Sequence, residues 1–290
     1  MFDTSVLELA NGNFIVANAK KRYLLFLDFE ANVIGKNGTD VFKGARLLGL
    51  TMKGHVVIDM NGVLCTRSYI RAFMMKERII TDKTITSCTV TEDDNMIAGY
   101  KDGSLEIFNN KGVSVHKVEG KKTIPIRSIH EIEKGYVRCY EKDHVDVPGF
   151  SFDMIGYDIL ESIVSKNATL IILARSKKDT VIRLVSLNRT GGDFEIKIGQ
   201  EAMNIFLLRD GRIAYLYKNV EYYIAIMNKD HNQFDELMKL EDCFSVPIQL
   251  SDNRFAYMGR KKKINFVKIP SMPIDVRKII KARDMHLLFI

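Results

Sequence analysis

Residues 94–109 read DNMIAGYKDGSLEIFN, and this stretch contains two short strand-like segments with the turns that precede them. The first turn leads into the apolar run MIAGY, and the second turn, KDG, leads into SLEIFN, where apolar and polar residues alternate. Asn, Asp and Gly tolerate the positive φ angles that tight hairpin turns require. A continuous apolar run is typical of a strand buried on both faces. The stretch therefore predicts a β-hairpin whose first strand lies in the protein interior.

The same order of turn and apolar run recurs seven times along the chain. The turn residues of successive units lie 42, 41, 40, 32, 44 and 42 positions apart. A repeat of about 40 residues built from short strands is typical of the four-stranded blade of a β-propeller. The segments, each with its turn residue, are NGNFIVA at 11–17 (Gly12), MKGHVVI at 52–58 (Gly54), DDNMIAG at 93–99 (Asn95), EKGYVRC at 133–139 (Gly135), KNATLII at 166–172 (Asn167), RDGRIAY at 209–215 (Gly211) and SDNRFAY at 251–257 (Asn253).

The repeat predicts an all-β fold, a β-propeller of seven four-stranded blades. Apolar segments before the turns, such as ITSCTV at 85–90 and SVPIQL at 245–250, are the predicted first strands of their blades. Six or eight blades, or two β-sandwich domains, are alternatives that short strands and frequent turns also permit. The propeller is predicted over residues 1–270, with blades starting near residues 5, 46, 85, 126, 160, 203 and 245.

Residues 271–290 form a separate C-terminal segment in this interpretation. The terminal sequence MHLLFI is apolar, and leaving apolar area in water is unfavourable by roughly 25 cal/mol per Å². We expect the segment to pack on the ring and help to close it. The alternative is a linear motif that docks in the groove of a partner.

The strand and turn pattern resembles that of WD-repeat β-propellers, most closely over residues 94–109. Two features depart from that superfamily: the chain has no tryptophan, and its Gly54-His55 pair lies in the wrong part of its blade. The Asp-His-Ser/Thr-Trp network of the superfamily is therefore not expected. The resemblance implies a diverged propeller, a rigid ring used mainly to bind other proteins, and this implication comes from fold alone.

The charge of the chain is concentrated near its end. The formal net charge is +7, but residues 260–283 alone carry +8, with Asp275 as their single acid, so the rest is almost neutral. A local basic stretch predicts a local binding surface rather than diffuse attraction to polyanions. The basic residues are Arg260, Lys261, Lys262, Lys263, Lys268, Arg277, Lys278, Lys281 and Arg283.

These nine residues are predicted to contact an acidic protein partner within a multi-subunit complex. Binding of RNA, ribonucleoprotein or another polyanion is the alternative, and it would weaken steeply with salt. Phe266 and Tyr257 are the aromatic residues near the basic stretch that could stack on bases. A purely structural alternative is a solubilising hairpin with an edge strand protected by lysines.

Motifs for catalysis, metal binding or cofactor binding are missing from the sequence. It has no HExxH, no P-loop and no GxSxG elbow, and its four cysteines form no CxxC pair. We therefore predict a protein that is not an enzyme, with no catalytic residue, metal or cofactor. The alternative is a propeller hydrolase with Asp and His residues at the mouth of the central channel. The sequence KDHVD at 142–146, with Asp143, His144 and Asp146, is interpreted as a turn with capping carboxylates, and a metal or catalytic site is its alternative.

The chain shows no apolar run of about 18–20 residues, the length that a membrane helix needs, and no secretory signal. We therefore expect no transmembrane segment and an intracellular location in the cytoplasm or nucleus.

Overall fold

The computed structural model describes residues 4–9, 11–38, 44–51, 54–70, 73–81, 83–91, 93–120, 123–188, 192–198, 201–228, 234–259 and 263–270. All regular structure in these residues is β-strand, arranged in seven antiparallel sheets. The sheets are the blades of a seven-bladed β-propeller, so the predicted fold is confirmed.

Each of the first four blades is a meander of four consecutive strands. Blade 1 contains β1 (Thr4–Glu8), β2 (Phe14–Asn18), β3 (Tyr23–Leu27) and β4 (Val33–Gly38). Blade 2 contains β5 (Ala45–Leu50), β6 (Val56–Met60), β7 (Val63–Ile70) and β8 (Phe73–Thr81). Blade 3 contains β9 (Ile85–Val90), β10 (Met96–Tyr100), β11 (Leu105–Phe108) and β12 (Ser114–Val118). Blade 4 contains β13 (Ile126–Ile132), β14 (Gly135–Tyr140), β15 (His144–Val147) and β16 (Phe150–Asp153).

The last three blades follow the same order, and blade 7 has three strands among the described residues. Blade 5 contains β17 (Asp158–Val164), β18 (Thr169–Arg175), β19 (Thr180–Ser186) and β20 (Phe194–Ile198). Blade 6 contains β21 (Ala202–Leu207), β22 (Ile213–Lys218), β23 (Tyr222–Met227) and β24 (Phe234–Leu240). Blade 7 contains β25 (Ile248–Gln249), β26 (Arg254–Met258) and β27 (Ile264–Lys268).

The first strand of each blade lies nearest the axis and is called its inner strand. Inner strands of successive blades contact each other from β1 through β21, and β1 also contacts β25. Because the strands of a meander alternate in direction, the turns between second and third strands lie on the same side of the ring as the blade-to-blade connections. We call this side the upper face. The turns between first and second strands, and between third and fourth strands, lie on the lower face.

The first turn of six blades has one repeated conformation. Its fourth residue has a positive φ, and the turn is closed by two backbone hydrogen bonds, such as those from Gly12 N to Leu9 O and from Leu9 N to Asn13 O. The predicted turn residues were wrong by one position in blades 3 and 5, where Asp94 and Ala168 take the positive φ instead of Asn95 and Asn167. The hydrogen-bonded frame sets the position, so even an alanine is held there. The six residues are Gly12, Gly54, Asp94, Ala168, Gly211 and Asn253.

Blade 4 explains the short interval in the repeat. Its first turn is only two residues long, between Ile132 and Gly135, and its third turn is the pair Pro148 and Gly149. Both turns are tighter than their counterparts, so the inner strands of blades 4 and 5 start only 32 residues apart.

The hydrophobic core consists of clusters that lie between neighbouring blades. The second strands are the most buried, and every residue of β2 and β10 is buried. One cluster joins Val6 and Phe14 of blade 1 to Ala256 and Ile264 of blade 7. A single blade leaves both of its apolar faces open, so each blade depends on its neighbours and the ring must close.

The ring closes by packing of the first blade against the last, together with polar contacts on the lower face. The backbone N–H and the hydroxyl of Ser251 both donate to the Glu8 carboxylate, at 3.1 and 3.0 Å. Arg209 of blade 6 donates to the carbonyl oxygen of Ser251 at 2.7 Å. This turn therefore links three blades.

The predicted strand at 245–250 is shorter in the structure, where β25 covers only Ile248–Gln249. Pro247 has no N–H to donate to a ladder, which explains the late start. The Ser245 hydroxyl is fully buried and accepts from the backbone N–H of Met258 at 2.8 Å. The predicted closing segment, residues 271–290, lies outside the described residues, so its role stays a prediction.

Candidate functional site

The predicted basic patch is described at two of its nine residues. Lys263 lies in the second turn of blade 7, on the upper face, and Lys268 ends β27 on the lower face. At about 3.3 Å per strand residue, five residues separate the two by roughly 16 Å along the strand. Both side chains are exposed, but the strand keeps them apart. Seven predicted residues lie outside the described part of the chain: Arg260, Lys261, Lys262, Arg277, Lys278, Lys281 and Arg283.

Lys263 has counterparts in the second turns of four other blades. Blades 1, 3, 4 and 5 each place one or two exposed lysines there, and none of these lysines has an ion-pair partner among the described residues. The sequence does not reveal this set, because its members are scattered over the chain and only the ring places them on one face. The set, called the upper lysines, is Lys20, Lys21, Lys101, Lys142, Lys177, Lys178 and Lys263.

Several acidic residues of the same turns are engaged within the protein. Asp102 accepts hydrogen bonds from the backbone N–H and hydroxyl of Ser104, at 3.0 and 2.6 Å. Asp179 lies 3.6 Å from the Lys197 ammonium. The Asp102 carboxylate is therefore satisfied by hydrogen bonds and the Asp179 carboxylate by an ion pair, while the charge of the upper lysines faces solvent.

The upper face also exposes three large apolar side chains. Ile155 is 85% exposed in the connection between blades 4 and 5, and Val220 is 89% exposed in the second turn of blade 6. Phe244, 50% exposed, lies in the connection to blade 7. Exposed apolar residues with a charged surround are a common composition of protein-binding surfaces.

A cleft of about 360 Å³ opens between blades 4 and 5, directly after Ile155. Two upper lysines, Lys142 and Lys177, line it from neighbouring turns. Arg175 also lines it, and its Nε is buried with no hydrogen-bond partner in the structure. The other lining residues are Asp143, Gly156, Tyr157, Asp158 and Ser176.

A second set of polar side chains lies at the central channel, beside a β-bulge that recurs in the inner strands. One residue of the inner strand is left unpaired in blades 2 to 6, at Leu48, Thr86, Arg127, Leu160 and Met203. Such a bulge re-aims the neighbouring side chains. In blade 4 the bulged residue is Arg127, whose Nε donates to the carbonyl oxygen of Leu160 at 2.8 Å.

Glu161 is the carboxylate of this channel wall. Burial raises its pKa, while the Ser162 backbone N–H and the charges of Arg127 and Arg46 oppose that rise. Its Oε2 accepts a long hydrogen bond, 3.4 Å, from the Asn204 amide. Arg46 belongs to blade 2, so the arginine charges reach Glu161 from two sides of the channel.

Beside Glu161, the interface between blades 4 and 5 holds a serine–histidine contact. His130 Nε2 lies 2.7 Å from Ser162 Oγ, which lies 2.5 Å from Ser128 Oγ. A hydroxyl near an imidazole can become a nucleophile. Here Ser162 is only 3% exposed, and burial lowers the pKa of His130 to about 4, which makes the imidazole a weak base. The arrangement therefore fits a structural contact between blades better than a catalytic pair.

The interpretation of KDHVD as a turn was wrong for His144 and Asp146, which lie in strand β15 and are buried. His144 Nδ1 lies 2.5 Å from the Asp153 carboxylate, and its Nε2 lies 3.1 Å from Asp146 Oδ1. Only Asp143, of the three residues, lies in the turn. Strand pairing overrides the turn preference of this polar sequence because the strand completes a blade.

Asp146 is the centre of a buried network in blade 4. Its Oδ2 accepts from Arg138 Nη2 at 3.0 Å and from the Tyr140 hydroxyl at 2.9 Å. Burial by itself raises the pKa of Asp146, but the Tyr140 hydrogen bond, the Arg138 charge and the His144 hydrogen bond outweigh it, so the net direction is downward. Asp146 is therefore an ionised carboxylate in the interior.

Blade 3 has a related tyrosine–carboxylate pair, which the sequence could have revealed. The Tyr100 hydroxyl donates to Glu106 at 3.2 Å, and Lys117 lies 3.2 Å from the same carboxylate. Burial raises the pKa of Tyr100 to about 12. In both blades a tyrosine that ends the second strand is followed six residues later by an acid. The repeated Tyr-x₅-acid spacing was the available signal.

Among the described residues, no group of three or more His, Cys, Asp or Glu side chains is placed to hold a metal ion. The described residues contain no helix, and so none that is long and apolar enough to cross a membrane.

No protein-family model matches the sequence, and no curated protein shows significant similarity to it. The fold therefore defines the class of the protein, a seven-bladed β-propeller, and is consistent with a WD-like propeller.

Proposed function

We propose that this chain is a non-enzymatic interaction scaffold, a diverged WD-repeat-like propeller that docks partner proteins within a larger assembly. The observation that carries the proposal is the upper face, where Ile155, Val220 and Phe244 are at least half exposed beside the upper lysines. Interfaces between proteins combine apolar contacts with a polar rim in this way.

The propeller suits such a role because it holds loops rigidly. Each turn of the upper face begins and ends in a strand that is paired within its blade and packed on a neighbouring blade. Binding to a rigid loop loses little conformational entropy, which leaves more of the contact energy as affinity.

Two polar groups of the described residues that could support catalysis are occupied within the fold, which supports a role other than an enzyme. Asp146 and His144 bond to each other and to three more side chains in blade 4. Ser162 is enclosed between blades 4 and 5.

We further propose that the basic last blade contacts an acidic region of the partner. Lys263 lies on the upper face, and Arg260, Lys261 and Lys262 directly precede it in the sequence. Binding to RNA or another polyanion is the alternative, because lysines also replace the counterions of a phosphate backbone. The two aromatic residues that could stack on RNA bases are not available for this. Tyr257 is buried, and the Arg254 guanidinium lies over the Phe266 ring at 4.4 Å from its centroid.

Affinity capture from the source cell, followed by mass spectrometry, tests the scaffold. We expect the double variant Ile155→Ser and Val220→Ser to lose partners that the unaltered chain retains. The matched control is Phe29→Ser with Val113→Ser, two apolar residues that are more than half exposed in lower-face turns. Loss of the same partners in both variants would contradict docking on the upper face. So would an unchanged partner set in the first variant.

A further inference from the structure

We propose that the upper lysines form one binding surface for an acidic segment of a partner protein, and that the cleft between blades 4 and 5 receives its carboxylates. This inference rests on the proposed function and names the chemistry of the partner. It extends the predicted basic site from the last blade to five blades of the ring.

The tertiary structure is what brings these charges together. Lys20 and Lys263 are separated by most of the chain, yet both lie in second turns and face the same side of adjacent blades, 1 and 7. Lys101, Lys142 and Lys177 lie in the same turn of three consecutive blades, 3, 4 and 5. A circular arrangement of like charges follows from the repeat of the blade.

The charges of the upper lysines are available to a ligand. No ion pair holds them among the described residues, and all seven side chains are exposed. By contrast, Lys197 and Lys239, on outer strands, are paired with Asp179 and Glu221 at 3.6 and 2.5 Å. An acidic ligand therefore does not have to displace an internal carboxylate to reach the upper lysines.

The cleft between blades 4 and 5 partly encloses the charges of two upper lysines. Lys142 and Lys177 flank it, and Arg175 lies at its wall with Nη1 on Glu201 at 2.9 Å and Nη2 on the carbonyl oxygen of Ala202. The third guanidinium nitrogen, Nε, is buried and has no hydrogen-bond partner. A volume of about 360 Å³ is large enough for one or two amino-acid side chains, and it lies at the lower end of the roughly 300–1,000 Å³ typical of ligand sites.

Acidic side chains on the same surface favour a protein over a uniform polyanion. Asp143 and Asp158 line the cleft beside the lysines, and Glu141 is exposed next to Lys142. A nucleic-acid backbone or an anionic membrane presents negative charge everywhere and would be repelled at these carboxylates. A protein segment can place its acids opposite the lysines and other groups opposite the carboxylates.

The test is binding of a fluorescein-labelled ten-residue peptide in which glutamate alternates with serine, measured by fluorescence anisotropy at low salt. We expect binding by the full chain and at least a tenfold weaker affinity for Lys142→Glu with Lys177→Glu. The control, Lys111→Glu with Lys166→Glu, changes two exposed lower-face lysines and gives the protein the same net charge. It should bind within twofold of the unaltered chain. All variants are compared by thermal unfolding, and Lys177→Gln gives a milder second variant.

Three outcomes would overturn the proposal: no binding of the peptide, equal weakening in the control, or tighter binding of an oligouridylate or of phosphatidylserine vesicles that is lost in the same variant. Failure of the peptide test with preserved partner capture would reject the acidic segment and keep the scaffold. Loss of both would reject the upper face itself.

Discussion

Tyr140 in blade 4 and Tyr217 in blade 6 occupy the same position of their blades, yet they have opposite surroundings. Each pairs with the residue that precedes the bulge of its inner strand, Ile126 or Ala202. The Tyr140 hydroxyl donates to an ionised carboxylate, whereas the Tyr217 ring stacks on Tyr223 with centroids 5.4 Å apart.

A cross-strand pair of residues beside the tyrosine differs between the two blades. On the third strand, blade 4 has Asp146 at the position where blade 6 has Ala225. The residue two before the tyrosine changes with it, from Arg138 to Tyr215. Blades 4 and 6 thus place a tyrosine at the same position and surround it with a charged network in one case and an aromatic cluster in the other. The charged version makes blade 4 depend on a single buried carboxylate.

The largest effect is expected for Asp146→Ala. This change leaves the Arg138 guanidinium buried without its carboxylate, and breaking a buried ion pair from one side typically destabilises by about 3–5 kcal/mol. Urea unfolding gives the free energy of unfolding, and Ala225→Gly in blade 6 is the control for altering the same position. A loss below about 1 kcal/mol for Asp146→Ala would mean that solvent replaces the carboxylate and that the network is not a closed interior.

The second effect is a pH dependence at the polar interface between blades 4 and 5. Burial lowers the pKa of His130 from 6.5 to about 4. Between pH 6.5 and 4, the imidazole is therefore protonated in the unfolded chain and neutral in the folded chain. Stability therefore falls as the pH drops from 6.5 to 4. At about 1.4 kcal/mol per pH unit, and with His130 partly exposed, the loss is about 2–3 kcal/mol.

Other groups titrate in the same range, so His130→Asn isolates this contribution. The raised pKa of Glu161 acts in the opposite direction, because its folded form takes up a proton before the unfolded form. Asp146, whose pKa is lowered, loses its stabilisation only below about pH 4. The difference between the unaltered chain and His130→Asn should thus grow between pH 6.5 and 4. Parallel stability curves would show that His130 is not held neutral.

The smallest effect separates the two tyrosines directly. Tyr140→Phe removes a buried hydroxyl that donates to Asp146, and a hydrogen bond to a charged group contributes about 1.5–3 kcal/mol. Tyr217→Phe keeps the stacked ring and should change the free energy of unfolding by less than about 0.5 kcal/mol. Equal losses in urea unfolding would contradict the contrast between the two blades.

The sequence predicted the blades well and the polar sites poorly, for one reason. The blade repeat is local: a turn such as that at Gly12 and a buried run such as β2 lie within a few residues, so their spacing carries the signal. The contacts of Ser162 with Ser128 and His130 join strands of different blades, more than 30 residues apart. No local pattern reports such a pair.

The sequence KDHVD at 142–146 shows that a local pattern can also predict the wrong structure. Locally, Asp143, His144 and Asp146 favour a turn, because short polar side chains bond to nearby backbone. The blade needs its third strand there, and Arg138 and Tyr140 of the preceding strand supply the partners that let Asp146 be buried. Pairing between strands thus overrides the local preference.

The amino-acid sequence by itself determined that the chain builds seven antiparallel sheets, because strand and turn preferences act over a few residues and repeat about every 40. Only the tertiary structure decided which groups meet: the lysines on one face, the arginines around Glu161, and the buried acid of blade 4. Closure of the ring sets these distances, since the apolar sides of each sheet are hidden only when the first blade packs on the last.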